Sequence, residues 1–244
     1  MRRSLLVAAL LVLLTACTPA RPPTPPVESS APAALATLAT VATSAPPART
    51  TPTGPLVVAD GSPARVLQAA DGGDDPLGYG VMAPDRVGAV LQPPCASAAG
   101  PSEALVDTRV SATMSYRFSG SDTGYDGTVD EVLTRYRSDG ATRLLAEWRT
   151  AVVACPHLDL DPVAADHAIV GSGFAGPESI LVTTVRSGPT SRDDPQRFSS
   201  TDYTALIRVG DATVVLRVGP WETGSPRRED VDRLIAAALT RAIA

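Results

Sequence analysis

A long run of alternating apolar and polar residues lies near the middle of the chain. Within residues 104–118, Val106, Val110, Ala112, Met114, Tyr116 and Phe118 occupy even positions, and the odd positions from Asp107 to Arg117 are polar. Successive side chains of a strand point to opposite faces, so this period of two predicts a long strand with one buried and one solvated face.

Further strands are predicted in the second half of the chain. Residues 180–185 read as a buried strand, and residues 203–209 and 212–218 flank Gly210-Asp211, a two-residue hairpin turn with glycine first. With that register, one face of the hairpin is apolar throughout, and the other carries Thr204, Arg208, Thr213 and Arg217 beside Leu206 and Val215. Residues 129–136 combine helical spacing with β-branched and aromatic residues, and we predict a strand there.

Helical signals appear in four places. Residues 84–91 predict a short helix, as does the entry Ser62-Pro63, where serine caps the first turn. Asp139 precedes a stripe of apolar residues at steps of three and four that ends before Pro156, and a second stripe follows Ser225-Pro226. Strands with one apolar face and helices with one apolar stripe predict a two-layer α+β domain, a twisted antiparallel sheet packed against helices.

The first residues carry an export signal. Arg2 and Arg3 precede an apolar run from Leu5 to Leu14, and the run ends in Leu14-Thr15-Ala16-Cys17, which resembles the bacterial lipoprotein cleavage pattern. A transmembrane anchor needs about 20 apolar residues, more than this run provides. We expect cleavage after residue 16 and diacylation of Cys17, which would anchor the chain to the extracytoplasmic face of the cell membrane. The Sec and twin-arginine routes both stay open.

A composition shift separates this leader from the globular region. Of the 38 residues 18–55, ten are proline and eight are threonine, and only Arg21, Glu28 and Arg49 are charged. Such a segment buries too little apolar surface to fold. We therefore predict a signal peptide over residues 1–16, a lipidated cysteine with a disordered stalk over 17–55, and a globular domain over 56–244.

The charged residues indicate the kind of source organism and exclude one class of binding partner. All 21 basic residues are arginine, and asparagine is absent, as in proteins of GC-rich genomes such as those of actinobacteria. Without Arg2 and Arg3, 19 arginines face 26 acidic residues, a net charge of −7. Because phosphate backbones demand a basic surface, nucleic acid is excluded as an expected partner.

Catalytic and metal motifs are weak. Once Cys17 is lipidated, Cys95 and Cys155 are an even pair in an oxidising compartment, and we expect a disulfide between them rather than a catalytic thiol. The segment 171–176 matches a dinucleotide fingerprint by letter, but Pro177 stands where a helix should run. His157 and His167 with nearby aspartates, and Asp71 with Asp74 and Asp75, read as solvated loops rather than metal sites. We expect no cofactor, no metal and no catalytic residue.

A set of loosely spaced residues resembles a known family. The lipobox, the stalk, Tyr136-x2-Asp139-x-Ala141-x6-Trp148-x6-Cys155 and the later Arg208-Val209-Gly210-x4-Val215 are similar to the PknH-type extracellular sensor domain of actinobacterial receptor kinases and lipoproteins. The resemblance implies a twisted antiparallel sheet packed on helices, stapled by disulfides, with a cleft for an unidentified ligand. It also favours a strand at residues 129–136. Receptor members carry two disulfides where this chain has one.

The expected function is non-enzymatic binding of a ligand or protein of the cell envelope by this sensor-like domain. The polar sheet faces carry Arg109 and Arg117 on the long strand and Arg208 and Arg217 on the hairpin, guanidinium groups suited to carboxylates or phosphates. We therefore predict a ligand face at these four arginines. The alternatives are a cell-wall glycan hydrolase and an envelope lipid carrier.

Overall fold

The computed structural model describes residues 62–73, 78–118, 126–191, 194–221 and 224–244. The predicted leader, Cys17, the stalk and the predicted domain start at residue 56 lie outside these residues. Seven strands lie in the described region: β1 Val106–Tyr116, β2 Gly127–Tyr136, β3 His157–Leu160, β4 Val163–Ser172, β5 Ser179–Ser191, β6 Asp194–Val209 and β7 Ala212–Pro220. The three α-helices there are α1 Pro84–Leu91, α2 Gly140–Ala154 and α3 Arg228–Ile243.

The strands form one sheet in the order β1-β2-β7-β6-β5-β4-β3, and every neighbouring pair is antiparallel. Val209 pairs with Ala212, so β6 and β7 join through the predicted two-residue turn. Gly210 has a φ of 63°, a conformation that glycine adopts without steric cost.

Helices cover both faces of the sheet. On one face, α3 packs its buried Val231, Leu234, Ile235 and Ala238 against the apolar side of the β6-β7 hairpin. The segment around Val66 and Leu67 closes the same core. The predicted apolar face of the hairpin is therefore confirmed.

On the other face, α1 and α2 pack over a second core. Leu206 and Val215 lie in it with Val132, Ile180 and Val182, so the polar side of the hairpin is not a free surface. The buried indole N–H of Trp148 on α2 donates to the carbonyl of Leu91 at the end of α1, 3.2 Å away, and ties the two helices together.

The predicted fold class is confirmed as α+β: an antiparallel sheet with helices and one disulfide, Cys95–Cys155, whose Cα atoms lie 6.3 Å apart. The predicted number of layers is wrong, because the apolar residues on the second hairpin face bury against α1 and α2 and make three layers. The wet face predicted for β1 is also partly buried, with Ser111 and Ser115 covered. The predicted strand at residues 129–136 is confirmed as β2.

Two further differences concern the second half of the chain. Residues predicted as a solvated loop around His157 and His167 form the β3-β4 hairpin, in which His157 pairs with Asp166. The strands β5 and β6 also run well beyond the predicted segments, to Ser191 and from Asp194. None of the helices that the structure describes is both long and apolar enough to cross a bilayer.

Candidate functional site

A polar pocket of about 270 Å³ opens on the sheet face that α1 and α2 cover. Its charged lining residues are Arg86 from α1, Asp130 from β2, Arg186 from β5, Asp202 from β6 and Arg217 from β7. The four strand residues share one face because each is an even number of residues from a side chain of the second core: Val132, Val182, Leu206 or Val215.

Asp202 holds two arginines on the floor of the pocket. Its Oδ2 accepts a hydrogen bond from Nη2 of Arg217 at 2.8 Å and another from Nη1 of Arg186. The Asp202 side chain is only 7% exposed, whereas those of Arg186 and Arg217 are about one third exposed. The carboxylate is therefore nearly buried beneath two arginines that line the pocket and keep further N–H donors.

Gly219 makes room for this arrangement. A Cβ built at Gly219 would lie 2.4 Å from Oδ1 of Asp202, closer than real Cβ contacts come. Any side chain at this position would force the carboxylate away from its present place.

Asp130 holds the third arginine. Nε and Nη2 of Arg86 donate to its two oxygens at 3.0 and 2.9 Å, a bidentate pair, and the Thr113 hydroxyl donates to Oδ1 at 2.6 Å. The Asp130 side chain is 8% exposed and that of Arg86 is 48% exposed. Bidentate pairs of this kind fix the guanidinium plane, so Arg86 forms an oriented wall of the pocket.

The described residues that line the pocket thus carry three guanidinium groups and two carboxylates. The charged groups of this lining therefore sum to one positive charge. Chemically, the site can donate several hydrogen bonds to an anion and can accept hydrogen bonds at Asp130 and Asp202. Thr128 and Ser200 add hydroxyls to the lining.

The structure divides the predicted arginine face. Arg217 lies in the pocket, but Arg109 and Arg208 share a cross-strand row with Thr134 and Thr213 at the other end of the sheet. Arg208 lies opposite Thr213 of β7, and Arg217 is four residues further along β7, a distance of about 13 Å along the strand. Arg117 pairs through its backbone with Gly73 at the end of β1.

The arginines of that distant row are each neutralised one to one. Arg109 donates to both oxygens of Glu103, at 2.8 and 2.6 Å, and this bond lowers the pKa of Glu103. Arg208 pairs with Glu178 and donates to the Thr142 hydroxyl of α2. The sharing of one carboxylate by two arginines at Asp202 is therefore different from the pairing in this row.

Sequence reasoning missed Arg86, Asp130, Arg186 and Asp202. Asp130 interrupts a strand face that is otherwise apolar or hydroxylated, and Asp202 lies between Ser200 and Thr204 on its face, a pattern that marks a buried polar group. The rest depends on the pairing of β2 with β7, two strands distant in sequence, which places Asp130 opposite Arg217.

The sheet edge carries a second polar cluster, which is exposed. Nδ1 of His157 lies 2.7 Å from Asp166 and Nε2 lies 3.1 Å from Asp159, and these hydrogen bonds raise the pKa of His157. No group of histidine, cysteine, aspartate and glutamate side chains among the described residues has the geometry of a metal site.

Glu131 is a buried acid on the opposite face of the sheet. Its side chain is fully buried, the Leu67 N–H donates to Oε2 at 2.6 Å, and Oε1 has no partner among the described residues. Burial raises the pKa of Glu131 to about 8. Glu131 does not line the polar pocket, and its buried carboxyl group bears on the pH dependence of stability.

A larger concavity of about 850 Å³ lies beside the disulfide. It is lined by the segment from Pro93 to Pro101 and by the outer side of α2, including Ala146, Thr150 and Ala154, and by no strand residue. It is a shallow surface groove rather than a cavity between sheet and helices.

The glycine-rich segment 171–176 spans the end of β4 and the turn to β5, and no helix follows it.

No family model matches the sequence, and no curated protein matches it. Among solved structures, the chain is similar to the crystal structure of the extracellular domain of PknH from Mycobacterium tuberculosis. The TM-score is 0.45 and the sequence identity is 13%, and the match covers 73% of this chain and 93% of that chain.

Proposed function

We propose that this chain is a lipid-anchored extracytoplasmic binding protein, and that its polar pocket holds an anionic group of the ligand. The observation that carries the proposal is the sharing of Asp202 by Arg186 and Arg217. Two guanidinium groups brought together over one carboxylate repel each other, and an anion between them and Arg86 would relieve that repulsion.

The location is proposed from two features of the chain. Disulfides persist in oxidising compartments outside the cytoplasm, and the structure contains Cys95–Cys155. The leader and Cys17 match the pattern of exported lipoproteins. A domain tethered in this way meets glycans, lipids and proteins of the envelope.

The pocket does not favour glycan hydrolysis. A hydrolase needs one carboxyl group that keeps its proton, and such groups sit in apolar or acidic surroundings. Asp130 and Asp202 are instead both ion-paired with arginine. Lipid carriage is not favoured either, because the larger groove is a surface feature of α2.

The test compares two arginines of the same strand pair. Arg208 and Arg217 have equal side-chain exposure, 31%, and each contacts one carboxylate. We would titrate the purified chain, Arg217→Gln and Arg208→Gln with inorganic phosphate and with D-glucuronate by isothermal titration calorimetry. Loss of one charged hydrogen-bond donor predicts about tenfold weaker binding to Arg217→Gln, with Arg208→Gln within about twofold of the wild type. Equal affinities in all three proteins, or an equal loss in both variants, would contradict the proposal.

A further inference from the structure

We infer that the ligand of the polar pocket is an acidic sugar, a hydroxylated ring carrying a carboxylate or phosphate, rather than a bare anion. This inference rests on the proposed function and names the class of ligand. Three features of the pocket support it: its mixed charges, its size and its neighbouring aromatic residue.

The mixed charges call for a ligand that both accepts and donates hydrogen bonds. Arg86, Arg186 and Arg217 can only donate, whereas the carboxylates of Asp130 and Asp202 can only accept. A bare anion satisfies the arginines but offers the aspartates like charge. A sugar acid brings one negative charge, matching the one guanidinium in excess, together with hydroxyls that donate to carboxylates.

The size of the pocket also exceeds that of a simple anion. Its 270 Å³ would hold about nine waters at roughly 30 Å³ each. This is more than a lone carboxylate or phosphate group fills and leaves room for one sugar ring. Ala89, Gly219 and Pro220 in the lining leave small apolar patches against which ring carbons can pack.

An exposed aromatic residue follows the last lining residue in the chain. Trp221 directly follows the lining residue Pro220, so their Cα atoms are about 3.8 Å apart, and its side chain is 54% exposed. Exposed tryptophan presents a large flat apolar surface with a polar N–H at its edge. The face of a pyranose, with its C–H groups on one side and hydroxyls at its rim, is complementary to such a surface.

The experiment is a series of probes on the wild-type full chain. We would measure dissociation constants for acetate, inorganic phosphate, D-glucose, D-glucuronate and D-glucose 6-phosphate at one ionic strength. The inference predicts that at least one acidic sugar binds tenfold or more tightly than acetate, phosphate and glucose. The two acidic sugars distinguish a carboxylate ligand from a phosphate ligand.

Variants then locate the sugar ring. Trp221→Ala should weaken the acidic sugar about five- to twentyfold and leave inorganic phosphate within twofold, while Arg217→Gln should weaken both. Tyr79→Ala removes an exposed aromatic that, unlike Trp221, does not adjoin a lining residue in the chain, and it should change neither affinity. Thermal unfolding of each variant checks that it is folded.

The outcomes distinguish a failure of the sugar inference from a failure of the proposed function. Acetate and phosphate binding as tightly as the acidic sugars, with no effect of Trp221→Ala, would overturn the sugar inference and leave an anion pocket. Absence of binding by every anion, or affinities unchanged in Arg217→Gln, would overturn the proposed function and the inference together.

Discussion

Asp202 and Gly219 lie side by side on β6 and β7, and the missing side chain of Gly219 is the space that the Asp202 carboxylate occupies. A Cβ at position 219 would stand 2.4 Å from Oδ1 of Asp202. Gly219→Ala should therefore displace a carboxylate that is paired with two arginines. Since disrupting a buried ion pair costs several kcal/mol when one partner is removed, we expect about 1–3 kcal/mol lower stability for this displacement, measured by urea unfolding.

Gly88 provides the matched control. It lies inside α1, and a Cβ there meets no atom within 4 Å. Gly88→Ala should raise the free energy of unfolding by about 0.5–1 kcal/mol, because alanine is the better helix former. Equal stabilities of Gly219→Ala and the wild type would show that the Asp202 position is not constrained as described.

The disulfide should contribute strongly to stability. Cys95 and Cys155 are 60 residues apart, and a loop of that length corresponds to roughly 4 kcal/mol in the chain-entropy model. The double variant Cys95→Ala/Cys155→Ala should show a lower urea midpoint, and its affinity for pocket ligands should stay unchanged because the pocket lies on other elements. An unchanged midpoint, or two free thiols in the oxidised wild type, would contradict this prediction.

Glu131 predicts a pH dependence of stability. Its pKa in the folded chain is raised from 4.5 to about 8, chiefly by burial, with Asp71 raising it further and the Leu67 N–H bond and Arg241 opposing the rise. The unfolded chain releases this proton at lower pH, so stability is full below about pH 4.5 and falls as pH rises through about 8. The size of the effect is on the order of 5 kcal/mol at most.

Glu131→Gln should abolish that fall, so the stability of the variant relative to the wild type should increase between pH 5 and about 8 in urea titrations. Glu103→Gln is the control with the opposite sign. Arg109 lowers the pKa of Glu103, so the stability that this ion pair contributes is lost only as pH falls below the ordinary glutamate range. If the free energy of unfolding depended on pH in the same way in Glu131→Gln and in the wild type, the raised pKa of Glu131 would be contradicted.

Anchoring is predicted to depend on Cys17. Cys17→Ala removes the thiol that accepts the lipid, and the preceding apolar run is too short to span a bilayer. The variant should appear in the medium or persist as an unprocessed precursor, whereas Cys155→Ala should leave anchoring intact. Recovery of Cys17→Ala at mature size in the detergent phase would refute the lipobox.

The sequence predicted those elements whose apolar residues follow one clear period. The β6-β7 hairpin was predicted with its register because its apolar face alternates over eight residues and Gly210-Asp211 marks the turn. Residues 84–91 were predicted as α1 with the same limits. In both places, periodicity and local conformation point to the same structure.

The sequence could not predict elements held mainly by pairing. Most β4 side chains are exposed or partly exposed, so no alternation marks this strand. The outer halves of β5 and β6 consist, apart from Phe198, of polar residues, glycine and proline typical of loops. The fold class followed from the other elements, and the resemblance to the PknH-type domain implied the same sheet and helices.

The candidate site was predicted only through Arg217. Sequence alternation places Arg208 and Arg217 on one face but does not show that Arg208 meets Glu178 while Arg217 meets Asp202. It also does not show that α1 brings Arg86 over Asp130. These contacts depend on strand order and helix placement, which one sequence does not specify.

The most direct test of the central claim is arginine-detected NMR of the ¹⁵N-labelled chain. Each Nε–Hε signal reports on one guanidinium group, and D-glucuronate would be added stepwise at constant ionic strength. We predict saturable shifts for Arg86, Arg186 and Arg217, with Arg109 and Arg208 unchanged as internal controls. Shifts of similar size for all five arginines, or none for the three pocket arginines, would contradict the claim that this pocket is the ligand site.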